Sequence, residues 1–438
     1  MNESPTTSVR KAAKDAPADL VDAHTLGRVV NLDAVKRSHD PQLVDAVVEN
    51  MIRGDDLGYE AWLSLRPLKT RGKQVVEDAL RNGIASTPDA TPELTALFDQ
   101  VDTVPDWVNW EQLDRGCVAY WRTGTLVPIV LGYSSVGFGY YSYGGTKALN
   151  FTRLLIEPDR AGGRMTETLR WITTVTTPGN LRRYSPGFAY AMRVRLVHSA
   201  VRFGVSRSPK WQWHNWGLPI TNTDLFFTSS NVFCANVVQA LERLGTRFTA
   251  QEREDIFALW RYIGYLMGVP DELNLVDAAD SLEKNAVVLA VEKAPDAANQ
   301  MLLHSLLQYT ATATDGYQPF PAWIINRLTE RHKLVIAYGL LRNLTSKQFC
   351  DDMAVPDTRF KYVVKAAAHI LRVKEAISRR LPHDDAEASA AILAEFAEAV
   401  KVDESIAIAS TEEVQSAIRH HESGLDRTLL EPFAARRR

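Results

Sequence analysis

The stretch Arg193-Val-Arg-Leu-Val-His-Ser-Ala-Val-Arg202 places His198 three residues after Arg195 and four residues before Arg202. On an α-helix, positions i−3, i and i+4 lie on one face. The spacing therefore predicts that the two arginines and the histidine form one polar stripe. The other sides of the segment are apolar, which is typical of a helix buried on most of its surface. These apolar residues are Phe188, Met192, Leu196 and Phe203 on one side, and Val194, Val197 and Val201 on another.

Two arginines in a buried helix need anionic partners, because an unpaired buried charge is strongly unfavourable. The sequence leaves two sources open: carboxylates of the protein or those of a ligand. A haem fits the pattern, since it brings two propionates and an iron that binds a neutral imidazole. The alternative is a core histidine flanked by two structural salt bridges.

Composition narrows the class of protein. The 438 residues suffice for one large domain or a few smaller ones. The chain is 45% hydrophobic and 24% charged, with a net charge of −3, so there is no overall basic field and we expect no nucleic-acid partner. Cys117, Cys234 and Cys350 are far apart and form no CxxC pair, which favours reduced thiols over disulfides or structural zinc.

The sequence shows no export signal and no clear membrane span. The first 40 residues lack the apolar core of a signal peptide. The nearest approach to a run of ~20 apolar residues is the segment 126–143, which Pro128 and several glycines interrupt. We therefore expect no transmembrane helix and a cytoplasmic location.

Helix signals recur along the chain. Asp40-Pro41 predicts an N-cap followed by the first helical residue. The pairs Thr249/Glu252 and Thr345/Gln348 predict capping boxes. The β-branched run 172–177 has no strand to pair with and is interpreted as helix. A single long helix is expected from Thr221 or Asn222 to Leu244.

Strands and helices do not alternate, so the fold class is all-α rather than a doubly wound sheet. We predict an N-terminal tail at 1–40, one large helical domain at 41–380, and a loosely packed helix and tail at 381–438.

Several common catalytic motifs are absent. The sequence has no GxxxxGK phosphate loop, no GxGxxG after a strand, no GxSxG elbow and no HExxH pair. It also lacks the two ExxH motifs of di-iron bundles. His214, in a tryptophan-rich loop, is a second candidate ligand. The strongest candidates for a pocket are the His198 helix and a helix that carries Arg164 and Thr168 four residues apart.

Four ordered motifs resemble one family. Arg164-x3-Thr168 is followed, thirty residues after Thr168, by His198 in its arginine setting. Two later stretches match as well, Trp216-Gly-Leu-Pro-Ile-Thr-Asn-x-Asp224 and Arg261-Tyr-Ile-Gly-Tyr-Leu-Met-Gly-Val-Pro270. The region from about 103 to 270 resembles the DUF2236 domain. That family includes bacterial latex-clearing proteins, which are rubber oxygenases, and a fungal oxygenase of mycophenolic acid synthesis.

The resemblance implies an all-α fold with a globin-like core that holds a b-type haem. It makes His198 the proximal iron ligand and places Arg164 and Thr168 in the haem environment. Arg195 and Arg202 are our candidates for pairing with the propionates. The implied reaction adds O2 across a carbon–carbon double bond of an isoprenoid or lipid-like substrate and cleaves it. The glycine- and tyrosine-rich segment 126–143 is a candidate lining for an apolar channel.

The sequence departs from the family on the distal side. Rubber oxygenases have a lysine before the motif threonine and an assisting glutamate upstream. Here Glu167 precedes Thr168, and the segment 144–150 contains Lys147 but no acid. We take Arg164, Glu167 and Thr168 as the candidate catalytic residues. We expect a small hydrophobic substrate and O2 as partners.

Two other functions remain open at this point. One is a haem-binding sensor or carrier without turnover. The other is a cofactor-free helical interaction protein, in which Arg195 and Arg202 pair with the protein's own carboxylates.

Overall fold

Helices dominate the computed structural model, which describes residues 16–20, 22–152, 158–312, 327–381 and 384–400. The only β pairing within these ranges is an isolated antiparallel bridge between Val29 and Glu292. The all-α class is therefore confirmed. In chain order the helices are α1 (Leu32–Ser38), α2 (Pro41–Glu49), α3 (Asp56–Leu65), α4 (Thr70–Asn82), α5 (Pro92–Asp102), α6 (Trp110–Trp121), α7 (Leu126–Val130), the π-helix π1 (Leu131–Ser135), α8 (Val136–Gly139), α9 (Lys147–Thr152), α10 (Pro158–Val175), α11 (Pro186–Ser206), α12 (Trp213–Trp216), α13 (Asn222–Phe226), the π-helix π2 (Phe227–Ala235), α14 (Asn236–Leu244), α15 (Ala250–Leu266), α16 (Ala278–Val291), α17 (Ala297–Thr312), α18 (Glu330–Leu344), α19 (Lys347–Asp352), α20 (Phe360–Ser378) and α21 (Asp385–Ala399).

Most of the predicted helix starts are confirmed. The Asp40 carboxylate accepts a hydrogen bond from the Gln42 amide at the start of α2. The Thr249/Glu252 capping box forms at the start of α15. The box predicted at Thr345 is wrong by one residue, because Ser346 caps α19 and the backbone N–H of Thr345 instead closes the end of α18.

The long helix expected between 221 and 244 is continuous but not uniformly α-helical. Its middle nine residues, π2, are wound as a π-helix. A second π-helix, π1, interrupts the segment 126–143 and lies against π2, where the Ser135 hydroxyl donates to the Val232 carbonyl at 2.6 Å. π-helical turns are rare and frequently occur at functional sites, so these two segments mark a region of interest. The run 172–177 is helical through Val175, as predicted.

The centre of the fold is the packing of α6 on α15. Gly116 allows this close approach, since a Cβ there would lie 2.3 Å from the Asp255 carbonyl oxygen. Trp121 and Trp260 are fully buried at the interface. The Trp121 indole N–H donates to the Thr176 hydroxyl at 2.8 Å, so a large apolar ring is buried without losing its hydrogen bond.

Both ends of the described chain are more tightly packed than the sequence indicated. Leu20 and Leu26 are buried in the main core, so residues 16–40 are not a tail. Helix α21 packs on α6 and α10, and its Phe396 ring lies 5.5 Å from Trp121. Described residues at both ends therefore belong to the main core, and the domain boundaries at 40 and 381 stay a prediction. Residues 401–438 lie outside the described part.

A second apolar cluster lies beside the main core. It is formed by α17, α18 and α19 together with the end of the segment 126–143 and one side of α10. No helix among the described residues combines the length and the apolar composition needed to cross a bilayer.

Candidate functional site

Helices α10 and α11 form an antiparallel hairpin that carries the predicted site residues. Near the turn, Gly187 lies against the Thr174 carbonyl. One turn further along α11, the Tyr190 hydroxyl donates to the Glu167 carbonyl at 3.2 Å. Residues further along α11 therefore contact residues nearer the start of α10. By this register, and at ~1.5 Å per residue, His198 lies about 12 Å beyond Tyr190, level with the first turn of α10.

The partner of Arg195 is a carboxylate of the protein. Its Nε and Nη2 atoms donate to the two oxygens of Asp55, each at 2.7 Å. The remaining contacts are to the Leu266 carbonyl at 3.3 Å and to the Gln100 side chain at 3.0 Å. Arg195 is only 1% exposed. These contacts use four of the five N–H groups of the buried guanidinium, so Arg195 cannot offer a propionate the bidentate contact that was expected.

Arg202 is also held by the protein. Its guanidinium donates to the backbone carbonyls of Pro219 at 3.3 Å, Ile220 at 2.8 Å and Asp55 at 3.2 Å. Because three carbonyl oxygens surround it in the interior, this charge is satisfied by backbone dipoles and by the neighbouring Asp55 carboxylate. Arg202 therefore matches the structural alternative rather than a role in binding propionate.

These contacts connect three of the motifs in the folded protein. The Trp216–Asp224 stretch supplies the carbonyls that hold Arg202, and the Arg261–Pro270 stretch supplies the Leu266 carbonyl and the Gly268 turn beside Arg195. A Cβ at Gly268, whose φ is +86°, would lie 2.6 Å from the Asp55 Cγ atom. We call Asp55, Arg195 and Arg202 the Asp55 node.

The two arginines of the Asp55 node stabilise the ionised form of its carboxylate. Burial alone would raise the pKa of the Asp55 carboxyl, but the charge and hydrogen bonds of Arg195, with help from Arg202 and the Gly58 amide, hold this pKa below its ordinary value. Asp55 is the one member that sequence reasoning missed. It caps α3, where the Gly54-Asp-Asp56 sequence is an ordinary helix start, so only the packing of α3 on α11 reveals its role.

His198 lies at the edge of the stripe, not at its centre. At 100° per residue, it is about 40–60° around α11 from the two arginines. His198 is half-buried. Val194, Val197 and Val201 lie on the same side of α11 and are also half-buried. The imidazole Nδ1 atom is itself buried. His198 therefore belongs to a half-buried apolar side of the helix, whereas the arginines belong to its fully buried side.

Helix α10 carries the other three predicted residues. Arg164 is part of α10, but its side chain lies outside the described residues. Thr168 is half-buried, and the Glu167 side chain is exposed. The antiparallel order of the hairpin places Arg164 nearer than Thr168 to the level of His198. The exposure of Glu167 does not support a catalytic carboxylate enclosed with a hydrocarbon and O2.

A carboxylate from a distant part of the chain binds the glycine turn that follows the segment 126–143. The Glu292 Oε1 atom accepts hydrogen bonds from the Gly144 amide at 2.8 Å and from Arg28 at 2.6 Å. Arg28 also donates to Asp224 at 2.7 Å. Glu292 follows α16, and Arg28 lies in the segment that was predicted to be an N-terminal tail. No motif near residue 144 could therefore predict this ion pair.

Lys147, in the same turn, is bound to the protein as well. Its Nζ atom donates to Asp296 at 2.7 Å and lies 4.0 Å from the centre of the Tyr143 ring. Burial lowers the pKa of Lys147, and the Asp296 carboxylate counters part of that effect.

His214 does not compete with His198 as a buried ligand. Its side chain is exposed, and its Nε2 atom lies 3.3 Å from an Asp19 carboxylate oxygen.

An aromatic group lies where π1, α8 and π2 meet α19. The Phe138 ring stacks on Tyr141 at 5.8 Å, on Phe227 at 6.1 Å and on Phe349 at 5.3 Å. The Tyr141 hydroxyl donates to Asp352 at 2.5 Å. Met165 and Leu169 of α10 join the same apolar cluster, so α10 separates this aromatic group from α11.

The residues fit a haem in one respect and not in another. A half-buried imidazole among valines matches the chemistry of an axial ligand beside an apolar macrocycle. The two arginines fail as propionate partners for the reasons given above. Within the described ranges no three metal-ligating side chains come together, which disfavours a site built from several protein ligands there; a haem iron needs only an axial one.

Comparisons with known proteins give a family match and a curated relative. A family model described as ER-bound oxygenase mpaB/B'/rubber oxygenase, catalytic domain, matches residues 155–373. The rubber oxygenase of Streptomyces sp. (strain K30) is 24% identical over 241 residues, which cover 51% of this chain and 55% of that protein. The chain thus spans about half the length of this curated relative.

A solved structure shows the same fold. The structure of latex clearing protein LCP in the closed state aligns with a TM-score of 0.59 at 17% identity, over 82% of this chain and 94% of that one. At this identity the likeness concerns the fold alone. The family match begins later than the resemblance seen in the motifs. It also ends later, because it takes in α17, α18 and most of α20.

Proposed function

Because this chain belongs to the family of mpaB/B' and rubber oxygenase catalytic domains, we propose that it is a haem-dependent oxygenase that cleaves a carbon–carbon double bond of a hydrophobic substrate. The position of His198 on the half-buried apolar side of α11 carries the proposal. A bound haem would supply the iron chemistry that lets O2 react with an alkene. The reaction balances without another reductant, since one C=C bond and one O2 become two C=O groups.

His198 is the proposed axial ligand. A neutral imidazole is required to bind iron, and the half-buried His198 ring shares its side of α11 with Val194, Val197 and Val201. The valines would exclude water from the same side. The globin-like description of the core remains a prediction.

The Asp55 node has a positioning role in this proposal. It fixes α11 against α3 through a charge pair and against α15 through a hydrogen bond to the Leu266 carbonyl, so the direction of the His198 side chain is set from the neighbouring, fully buried side of the helix. Arg195 and Arg202 are therefore left out of the cofactor-binding set.

Arg164 and Thr168 remain the proposed lining of the pocket on the α10 side. The half-buried Thr168 hydroxyl can donate or accept one hydrogen bond near the reacting oxygen atoms. Glu167 is given no proton-transfer role, since its side chain is exposed.

We propose an isoprenoid-like alkene as substrate. The supporting observation is the apolar cluster that borders α10, in which the Phe138 ring stacks on Tyr141 and Phe349. Apolar walls bind a hydrocarbon through burial, at about 25 cal/mol per Å2 of apolar surface, and give little discrimination by hydrogen bonding. Both short isoprenoids and polyisoprene belong to this class.

The test begins with the absorption spectrum of the purified protein after haem supplementation. We expect a Soret band in the wild type and its loss or displacement in His198→Ala, with the spectrum of His214→Ala, an exposed histidine, unchanged. If wild type gives no Soret band, or if His198→Ala keeps the wild-type spectrum and haem content, the proposed ligation is wrong.

Activity is measured separately by incubating the haem-loaded protein with squalene or polyisoprene under O2 and analysing aldehyde and ketone products. Carbonyl products that require O2 and disappear in His198→Ala support the oxygenase. A normal haem spectrum with no product from either alkene would contradict the proposed reaction and indicate a haem carrier or sensor.

A further inference from the structure

Helix α20 presents a row of apolar side chains to solvent. Val363 is 55% exposed, Ile370 68%, Val373 49% and Ile377 55%. Their spacings of seven, three and four residues place them on one side of the helix. The row is about 21 Å long at 1.5 Å per residue. Scattered apolar residues are normal on a protein surface, but an aligned row of this length on one helix is not.

The opposite side of α20 is firmly anchored, so the row has a fixed orientation. Val364 and Ala368 are buried. At Gly245, after α14, a Cβ would lie 2.6 Å from the Arg372 amide nitrogen, and at Gly339 of α18 it would lie 2.8 Å from the Phe360 ring. The exposed row is therefore not a by-product of a frayed or loosely attached helix.

Basic residues flank the exposed row. Lys365, Arg372 and Lys374 are exposed, and in the described part of the chain none of them has a carboxylate partner. The single acidic residue of α20, Glu375, points inward and pairs with Arg122 at 3.0 Å. The outward half of α20 thus combines an apolar centre with a positive border.

This combination fits the surface of an anionic bilayer. A helix lying in the membrane interface buries its apolar side at the boundary of the acyl chains while lysine and arginine side chains extend to the headgroups. A second copy of the chain fits less well, because twofold symmetry would bring Lys365, Arg372 and Lys374 close to the same cations. We propose that α20 docks this protein on anionic phospholipid membranes, a role that goes beyond the proposed oxygenase activity and does not depend on it.

The experiment measures flotation of the full-length protein with vesicles. We expect binding to mixed phosphatidylcholine–phosphatidylglycerol vesicles, much weaker binding to phosphatidylcholine alone, and weakening by salt because the headgroup attraction is screened. Ile370→Ser combined with Ile377→Ser should weaken binding about tenfold or more, since two apolar side chains no longer insert. Lys374→Glu should weaken it about fivefold or more.

Val276→Ser is the matched control. Val276 is 54% exposed but precedes α16, away from α20, so this variant should bind like wild type. Because both α20 isoleucines are exposed, the double variant should keep the wild-type unfolding midpoint, which separates lost binding from lost folding.

Three outcomes would overturn the proposal. One is equal binding by wild type and the double isoleucine variant. Another is a concentration-dependent dimer that the double variant abolishes, which would assign the row to a second copy. The third is a full-length protein that ignores vesicles while a chain ending at Val400 binds them, which would mean that residues 401–438 cover the row.

Discussion

The two sides of α11 meet the rest of the protein in opposite ways. On one side Arg195 and Arg202 are completely buried, and a carboxylate and several carbonyl oxygens of the protein satisfy them. On the other side His198 is only half-buried and is surrounded by valines. Each arginine stands about one turn from His198 on the same helix, yet the arginines are fully buried and His198 lies on an incompletely buried apolar side.

This difference separates residues that hold α11 in position from a residue proposed to bind a cofactor. Buried charges with bidentate partners specify how elements fit together, and removing one partner leaves an uncompensated charge in the interior. A ligand to a cofactor has the opposite requirement, because it must have room for a partner that the chain does not supply. We therefore expect variants on the arginine side to change stability and variants on the histidine side to change haem binding.

The largest effect on stability is expected from Asp55→Ala. The variant leaves Arg195 buried without its carboxylate, which should lower the free energy of unfolding by about 3–5 kcal/mol in a urea titration. Glu77→Ala, which removes the partner of the more accessible Arg193, should lower it by about 1 kcal/mol or less. Equal losses in the two variants would show that the Asp55 node does not hold α11 in place.

Gly268→Ala should come next. The new methyl group would clash with Asp55 and Arg195, and the positive φ of +86° is unfavourable for any L-residue. We expect a loss of at least about 2 kcal/mol in the free energy of unfolding. Gly124→Ala is the control for backbone strain alone, because its φ is +64° and no atom would lie within 4 Å of the added Cβ. If both variants lose the same amount, crowding at the node contributes nothing.

A smaller, pH-dependent effect follows from the lowered pKa of Asp55. Its carboxylate contributes stability above the unfolded-state pKa, near 3.8, and that contribution is lost as the pH falls through the lower folded-state pKa. The stability of wild type should therefore decline below about pH 4 more steeply than that of Asp55→Asn, which has no carboxyl to protonate. Urea midpoints measured from pH 6 downward test this, with Asp89→Asn at an exposed ion pair as the control that should follow wild type.

The smallest effect is expected from Glu167→Ala. An exposed side chain should change the rate of carbonyl product formation by less than about twofold, whereas removing a general acid–base group typically costs about a hundredfold or more. Thr168→Ala, at the neighbouring half-buried position, should reduce the rate further than Glu167→Ala. A hundredfold loss in Glu167→Ala alone would restore that residue to the catalytic set.

Local patterns predicted the helices well because the causes are local. The Asp40-Pro41 start and the Thr249 capping box depend on hydrogen bonds within a few residues, and the helical character of α11 follows from its apolar repeat of 3.6. The π-helices were not predicted, since no short motif in either segment signals them.

The sequence also identified the positions that matter but not their roles. It singled out Arg195, His198 and Arg202 by spacing, and it could state that the arginines needed anions without saying whose. Arg195 pairs with Asp55, 140 residues away in the chain, and Arg202 donates to carbonyl groups of the segment after Trp216. Arg28 and Glu292 were missed for the same reason, since they are 264 residues apart and meet only after folding.

By itself, then, the sequence determined the all-α class, several helix starts and the family, because these follow from periodicity, capping and ordered motifs. Only the tertiary structure decided which groups satisfy the buried arginines of α11. The physical reason is that the role of a buried charge is set by the groups packed against it, and those groups come from parts of the chain that no local pattern connects.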